Sequence, residues 1–194
     1  MKSLLAASAI SVALAAPAAA QRLSPAVVAV VDTDRISREC TACRAAQTQL
    51  QTQGTTLRTR AQTLQTQLRT AGQPIQTAVN ALNGKQPDAA LQGRITAYQT
   101  QQNNAAQEIE RGEQNFRSIQ ANVSRQISER LIPIINTVSG TRGASVTVDR
   151  GAVLFAAPTL DITNDVLAQL NQQLPSVSVT PLPAAPQAAR PQGR

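Results

Sequence analysis

The sequence predicts a mainly α protein, a long antiparallel α-helical coiled-coil hairpin projecting from a small β body. Three observations carry that prediction. Apolar residues keep a heptad rhythm through most of residues 35–138, a turn-forming cluster at residues 83–88 divides the stretch into two nearly equal arms, and β-branched runs flank it on both sides. Aromatic residues are scarce: Tyr98, Phe116 and Phe155 are all that 194 residues contain. Large cores draw heavily on aromatic burial, so a thin seam of Leu, Ile and Ala suits an elongated, oligomeric coiled coil better than a compact enzyme.

Residues 1–20 read as a secretory signal peptide, with Lys2 as its positive region, an apolar run over residues 4–16 and small residues up to Ala20. The run is shorter than the ~20 residues a membrane span requires. No Cys follows the cleavage point, so the mature chain is expected to be exported and soluble, without a lipid anchor. Residues 26–31 then form a continuous β-branched run, the pattern of a strand buried on both faces or at an oligomer interface. Any of Asp32, Thr33 and Asp34 can cap the following helix, whose first turn holds Arg35 and Ile36.

On the outgoing arm Ile36, Cys43, Leu50, Leu57, Leu64, Ala71 and Ala78 recur every seventh residue, with Cys40, Gln47, Gly54, Ala61, Leu68, Ile75 and Leu82 offset by four. The returning arm alternates likewise from Leu91 through Tyr98, Gln102, Ala105 and Gly112 to Phe116, after which the spacing lengthens to eleven at Ile127 and Val138. Each arm is about 50 residues, or ~75 Å at 1.5 Å per residue. Gly54, Gly72 and a Thr-rich composition predict a compliant outgoing arm, and sustained heptads argue against its being disordered. Pro74 predicts a kink or break between Ala71 and Ile75. Asp88 is placed to cap the return helix, Pro133 to bend it, and Gly140 to end it in a left-handed cap.

Residues 144–148 and 152–156, joined through Asp149, Arg150 and Gly151, predict a β-hairpin. Thr163 is expected to cap a short amphipathic helix with Asp165 in its first turn. Residues 26–34 and 139–174 together make the β body, and the Pro- and Ala-rich residues 175–194 predict a disordered, polyproline-like tail.

The absence of His removes Ser-His-Asp and Cys-His catalysis and the commonest metal ligand. Acids are scattered, no Gly-rich phosphate loop is present, and Glu108, Glu110 and Glu113 read as a solvated helix face. No catalytic residue, metal or cofactor is predicted. Cys40-Thr41-Ala42-Cys43 is the one motif that can carry chemistry, and it is placed about a turn and a half into the first helix. A structural disulfide, within or between chains, is the leading reading, with a redox dithiol, reduced core residues or half a metal site as alternatives. The net charge of +7 becomes +6 without Lys2. Arg58, Arg60, Arg69, Lys85 and Arg94 make the distal arms basic, which suits acidic partners or anionic lipid headgroups, while export argues against nucleic acid.

Four features resemble the Skp/OmpH family of periplasmic chaperones: the signal peptide, Val27-Val28-Ala29-Val30-Val31-Asp32 running into a long helix, matched hairpin arms, and a closing segment. That segment holds Val146-Thr147-Val148-Asp149, Gly151-Ala152-Val153-Leu154-Phe155 and Leu160-Asp161-Ile162-Thr163 before a short helix. The resemblance spans residues 26–174 and implies a periplasmic homotrimer with no catalytic residues. Its β body would draw on three chains through Val27, Val28, Val30, Val146, Val148, Val153 and Phe155, making the small β-sheet or barrel a trimerisation domain. It also implies that unfolded outer-membrane β-barrel proteins are held between the arms without ATP, with the five cations contacting client, anionic lipid or lipopolysaccharide. A coiled-coil adaptor bridging fixed partners through its tip, and a thiol oxidoreductase using Cys40 and Cys43, are the competing readings.

Overall fold

Two β-branched segments at opposite ends of the arm sequence pair with each other. In the computed structural model, which describes residues 25–181, strand β1 (Val28–Val31) lies parallel to β2 (Val146–Asp149), with Val28 opposite Val146 and Val31 opposite Asp149. The signal-peptide segment lies outside the described residues. Between the strands run helices α1 (Thr33–Glu39), α2 (Thr41–Ala81) and α3 (Ala89–Thr141), and α4 (Thr163–Gln173) closes the root. A parallel pair dictates unequal arms. The return helix must pass β1 before the chain turns and runs alongside it, so α3, with 53 residues, slightly outruns the outgoing arm, which is made of the 7 residues of α1 and the 41 of α2 on either side of Cys40.

The core sits at this root. Val31, Ile36, Cys40, Ile134, Val166 and Leu170 are its buried centre. β1 is buried over Ala29, Val30 and Val31, which accounts for its unbroken apolar pattern. The outgoing helix is not continuous from Thr33. Cys40 takes an extended conformation (ψ 125°), ending α1 and capping α2, and the exposed Thr41 N–H is taken up by Asn171 Oδ1 on α4 at 2.9 Å. Asp32 caps α1 and Asp88 caps α3, each accepting from the N–H three residues on at 2.7 Å.

Helix α3 continues through Pro133 as one helix. Several local expectations are corrected, beginning with Pro74, where α2 does not break. Both prolines and the residues four before them, Thr70 and Glu129, are exposed, so water can satisfy the carbonyls that lose their partner. In the Thr-rich turns Thr48, Thr52, Thr56, Thr63 and Thr77 each donate their hydroxyl to the carbonyl four residues back, so the hydroxyls are satisfied within the helix. The left-handed cap of α3 is Gly143 (φ +69°), not Gly140. Ala144 N–H reaches Ser139 O at 2.9 Å and Gly143 N–H reaches Gly140 O at 3.0 Å, the two bonds of a Schellman end. Among the described residues no β-hairpin forms. After Asp149 a 3-10 turn (Arg150–Ala152) begins, and Val153 and Phe155 belong to no strand.

The end of β2 is diverted because Asp149 is committed elsewhere. Its carboxylate accepts the Thr33 hydroxyl at 2.5 Å, the Thr33 N–H at 3.3 Å and the Gly151 N–H at 2.8 Å. Thr163 does not cap α4. Its hydroxyl, fully buried, accepts the Asp32 N–H at 2.9 Å, while Asp161 Oδ1 accepts the Thr163 N–H at 2.8 Å. The first residues of the expected tail are also placed. Residues 175–181 lie against the arm root outside any helix or strand, with Val177 and Val179 packed, like Leu50, on the cluster of Ala46, Ile119 and Val123. The remainder of the tail lies outside the described residues.

Between α2 and α3, glycines seat large side chains of the opposite helix. A Cβ on Gly54 would lie 3.3 Å from the Phe116 ring, one on Gly72 2.7 Å from the Tyr98 hydroxyl, and one on Gly112 2.6 Å from Leu57 Cδ1. These glycines therefore bring the helices close rather than merely loosening them. Replacing Gly54 by Leu is expected to cost roughly 1–3 kcal/mol through overpacking. Gly93→Ala, where nothing lies within 4 Å, should instead stabilise by up to about 1 kcal/mol. Urea unfolding followed by circular dichroism at 222 nm checks both signs.

The root also sets an acid limit. The Thr33 hydroxyl, helped by the Gly151 N–H, holds Asp149 below the usual carboxylate range. Burial pushes Asp161 up, but the Thr163 hydrogen bonds and the charges of Arg150 and Arg35 outweigh it, and its pKa also falls. A carboxyl with a lower pKa folded than unfolded stabilises fully above its unfolded value of about 4, and that stability is lost as pH falls through the folded value. The thermal midpoint should therefore hold from about pH 8 to about pH 5 and drop below about pH 4. Asp149→Asn should shrink that drop, as scanning calorimetry across the range would show.

Candidate functional site

A two-helix arm has one seam and cannot hide it completely. Among the seam residues of the distal arm, Leu91 and Ala105 are buried, while Leu57, Leu64, Leu68, Ile75 and Ile109 stay half-buried. The apolar stripe is thus reachable along the arm. Nearest the root it opens into a groove of about 310 Å³ floored by Leu57, Ile109, Phe116 and Ile119, and a second groove of about 340 Å³ lies farther out beside Leu64 and Leu68. The predicted seam positions Gln47 and Gln102 face solvent, and Ala46 takes the buried place beside Gln47.

The five predicted cations divide into two kinds. Arg60 spans the hairpin to Glu108, with Nη2 donating to Oε2 at 3.1 Å and Nε to Oε1 at 2.5 Å. The guanidinium holds the Glu108 carboxyl below its ordinary range, and the carboxylate in turn raises Arg60. Glu108 is therefore a cross-hairpin partner, unlike Glu110 and Glu113, which pair within their own helix. Arg58, Arg69, Lys85 and Arg94 are exposed and make no ion pair among the described residues. Arg58 and Arg69, eleven residues or about three turns apart, share one face of α2. Free cations beside an open apolar stripe suit a chain carrying both apolar and acidic groups.

At the root, Val27, Val146, Leu154 and Phe155 are exposed, Leu154 and Phe155 almost wholly so. Val28, Val148 and Val153 are half-buried, whereas Val30 is only 1% exposed and is spent in the chain's own core. The sheet has just two strands, and β1 adds a single bridge from Val30 to Asp161. Such a ribbon is marginal by itself, and its bare apolar flank fits burial against further chains.

Cys40 and Cys43 are joined within the chain. They sit at the start of α2 rather than inside a longer helix, so their position resembles that of a redox dithiol more than the sequence suggested. Access decides against that use: Cys40 has no exposed surface and Cys43 only 5%, and exchange requires a thiolate to reach a sulfur. The bond fixes the corner between α1 and α2. The Cys40→Ser, Cys43→Ser double variant should lose roughly 2 kcal/mol, the loop-closure value for so short a ring, and should keep its helix content by circular dichroism.

Sequence reasoning passed over Gln53, Asn122 and Gln126, whose amides contact residues 178–180. The signal available was the strict alternation Ser176-Val177-Ser178-Val179-Thr180, a strand period inside a Pro- and Ala-rich composition.

The fold and these surfaces define a helical-hairpin protein with a half-open apolar seam along its arm and a bare apolar flank at its root. The chain belongs to the OmpH-like family: the model described as Outer membrane protein (OmpH-like) matches residues 27–170. Among solved structures, an OmpH-like protein of Caulobacter crescentus, described as a candidate outer membrane chaperone, aligns with a TM-score of 0.66 at 18% identity. The alignment covers 82% of this chain and 92% of that one, and at this identity the likeness is one of fold. Among curated proteins none matches the sequence. No described helix is long and apolar enough to cross a membrane.

Proposed function

We propose that this chain is an ATP-independent holdase of the periplasm, which as a homotrimer holds unfolded outer-membrane β-barrel proteins between its arms and keeps them from aggregating. The observation that carries the reading is the arm itself: an apolar seam left half-open along α2 and α3, flanked by Arg58, Arg69, Lys85 and Arg94 without acidic partners. Many weak apolar and electrostatic contacts suit reversible capture of a non-native chain, because no single one commits the client. Family membership and the chaperone description of the Caulobacter crescentus protein support the same role. The bare flank of Val27, Val146, Leu154 and Phe155 supports self-assembly at the root. Anionic lipid or lipopolysaccharide is a further partner that the free cations suit.

The mature chain, without nucleotide, should suppress light scattering when a urea-unfolded outer-membrane β-barrel is diluted into buffer, at close to one trimer per client. Unchanged scattering rejects the holdase. Arg58→Glu, Arg69→Glu and Arg94→Glu together should weaken suppression severalfold and leave the sedimentation mass at three chains. A Phe155→Asp variant should lower that mass.

A further inference from the structure

We propose that the groove at the arm root that holds residues 176–180 is a recognition site for an extended β-strand segment of an unfolded client, and that this segment of the chain is its tethered occupant. The proposal rests on the holdase reading. The segment leaves the buried Leu174 and lies outside any helix or sheet, with exposure that alternates residue by residue from Ser176 to Thr180 as it does along a strand. Val177 and Val179 face the seam formed by Ala46, Leu50, Ile119 and Val123, while Ser176, Ser178 and Thr180 face out.

Its main chain is read by side-chain amides. Gln126 Oε1 accepts the Ser178 N–H at 3.0 Å and Gln126 Nε2 donates to the Ser178 carbonyl at 2.9 Å, so one side chain takes up both polar groups of one residue. Asn122 Nδ2 donates to the Thr180 carbonyl at 2.9 Å, and Gln53 Nε2, from the opposite helix, donates to the Val179 carbonyl at 3.4 Å. Asn122 is buried, and Arg125 Nη2 fixes its other end by donating to Oδ1 at 2.9 Å.

Amides that bind backbone N–H and C=O replace the neighbouring strand of a ladder. They recognise extended chain whatever its side chains, and the apolar seam adds a demand for aliphatic residues at every second position. That combination is the pattern of a transmembrane β-strand, apolar on one face and polar on the other. Residues 176–180 satisfy it with the sequence Ser-Val-Ser-Val-Thr and lie beyond the family match, which ends at residue 170. Because the occupant is tethered, its effective concentration is high, and a client strand must displace it. The groove is also continuous with the opening of about 310 Å³ beyond it, since Ile119 and Gln53 line both.

The test uses the mature chain, a chain ending at Pro175, and a full-length Val177→Asp, Val179→Asp variant that unseats the segment without shortening the protein. Fluorescence anisotropy follows a fluorescein-labelled peptide Pro-Ser-Val-Ser-Val-Thr-Pro. The shortened and unseated chains should bind it at least tenfold more tightly than the mature chain. Adding Gln126→Ala and Asn122→Ala to the shortened chain should reverse that gain. An unlabelled peptide from a transmembrane β-strand should compete, and one of the same composition in scrambled order should not. Equal binding by all three chains, or failure of the strand peptide to compete, overturns the proposal. Light scattering on the same proteins separates the two readings: suppression without peptide binding sinks the groove alone, and loss of suppression in every chain sinks the holdase.

Discussion

The parallel pairing of β1 with β2 is the constraint on which the other elements depend. A parallel pair cannot be closed by a tight turn, and here the connection is the whole arm. The pairing fixes where the arm starts and ends, requires the return helix to outrun the outgoing one, and places the Schellman turn at Gly143 where the chain must reverse. It also brings Asp149 to the first turn of α1, where Thr33 and Gly151 satisfy it, and aligns Val30 with Ile162, whose N–H meets the Val30 carbonyl at 2.9 Å. Strand, arm and closing helix are therefore tied at one point, and what happens to the root is felt by both arms.

From that point outward the arm thins. The buried residues of α2 are Ala42, Cys43, Ala46 and Gly54, all near the root, and most of those of α3 lie beyond residue 118. Farther out a single seam joins the helices, with Tyr98 seated over Gly72 and Arg60 clasping Glu108 across the gap. Local opening free energies follow buried contact, so the tip should open most readily and the root least. Such a gradient combines a fixed base with a working end that can yield.

Periodicity made the arms legible, because a heptad states which face of a helix meets its partner before any partner is known. Asp88 was legible as a cap for a similarly local reason, and the sequence narrows the first cap to Asp32, Thr33 or Asp34, of which Asp32 takes the place. What escaped depended on residues far away in sequence. The break at Cys40 is held open by Asn171, and the end of β2 is diverted through Thr33. Thr163 carries a good cap residue's chemistry but spends its hydroxyl on Asp32. The open faces were legible only in part: cations could be counted, but that Arg60 alone of the five is neutralised follows from the register of the two helices.

The two apolar surfaces left open ask for different partners. The root flank is a compact patch of exposed apolar residues beside a short sheet, so a complementary surface, such as that of another copy, can bury it. The distal seam is long, shallow and made of half-covered side chains on helices that can part. Only a partner that adapts its own shape can follow it, which is a property of unfolded chain rather than of a folded domain. Both surfaces follow from one hairpin, because burial is concentrated at the root and withheld from the distal arm.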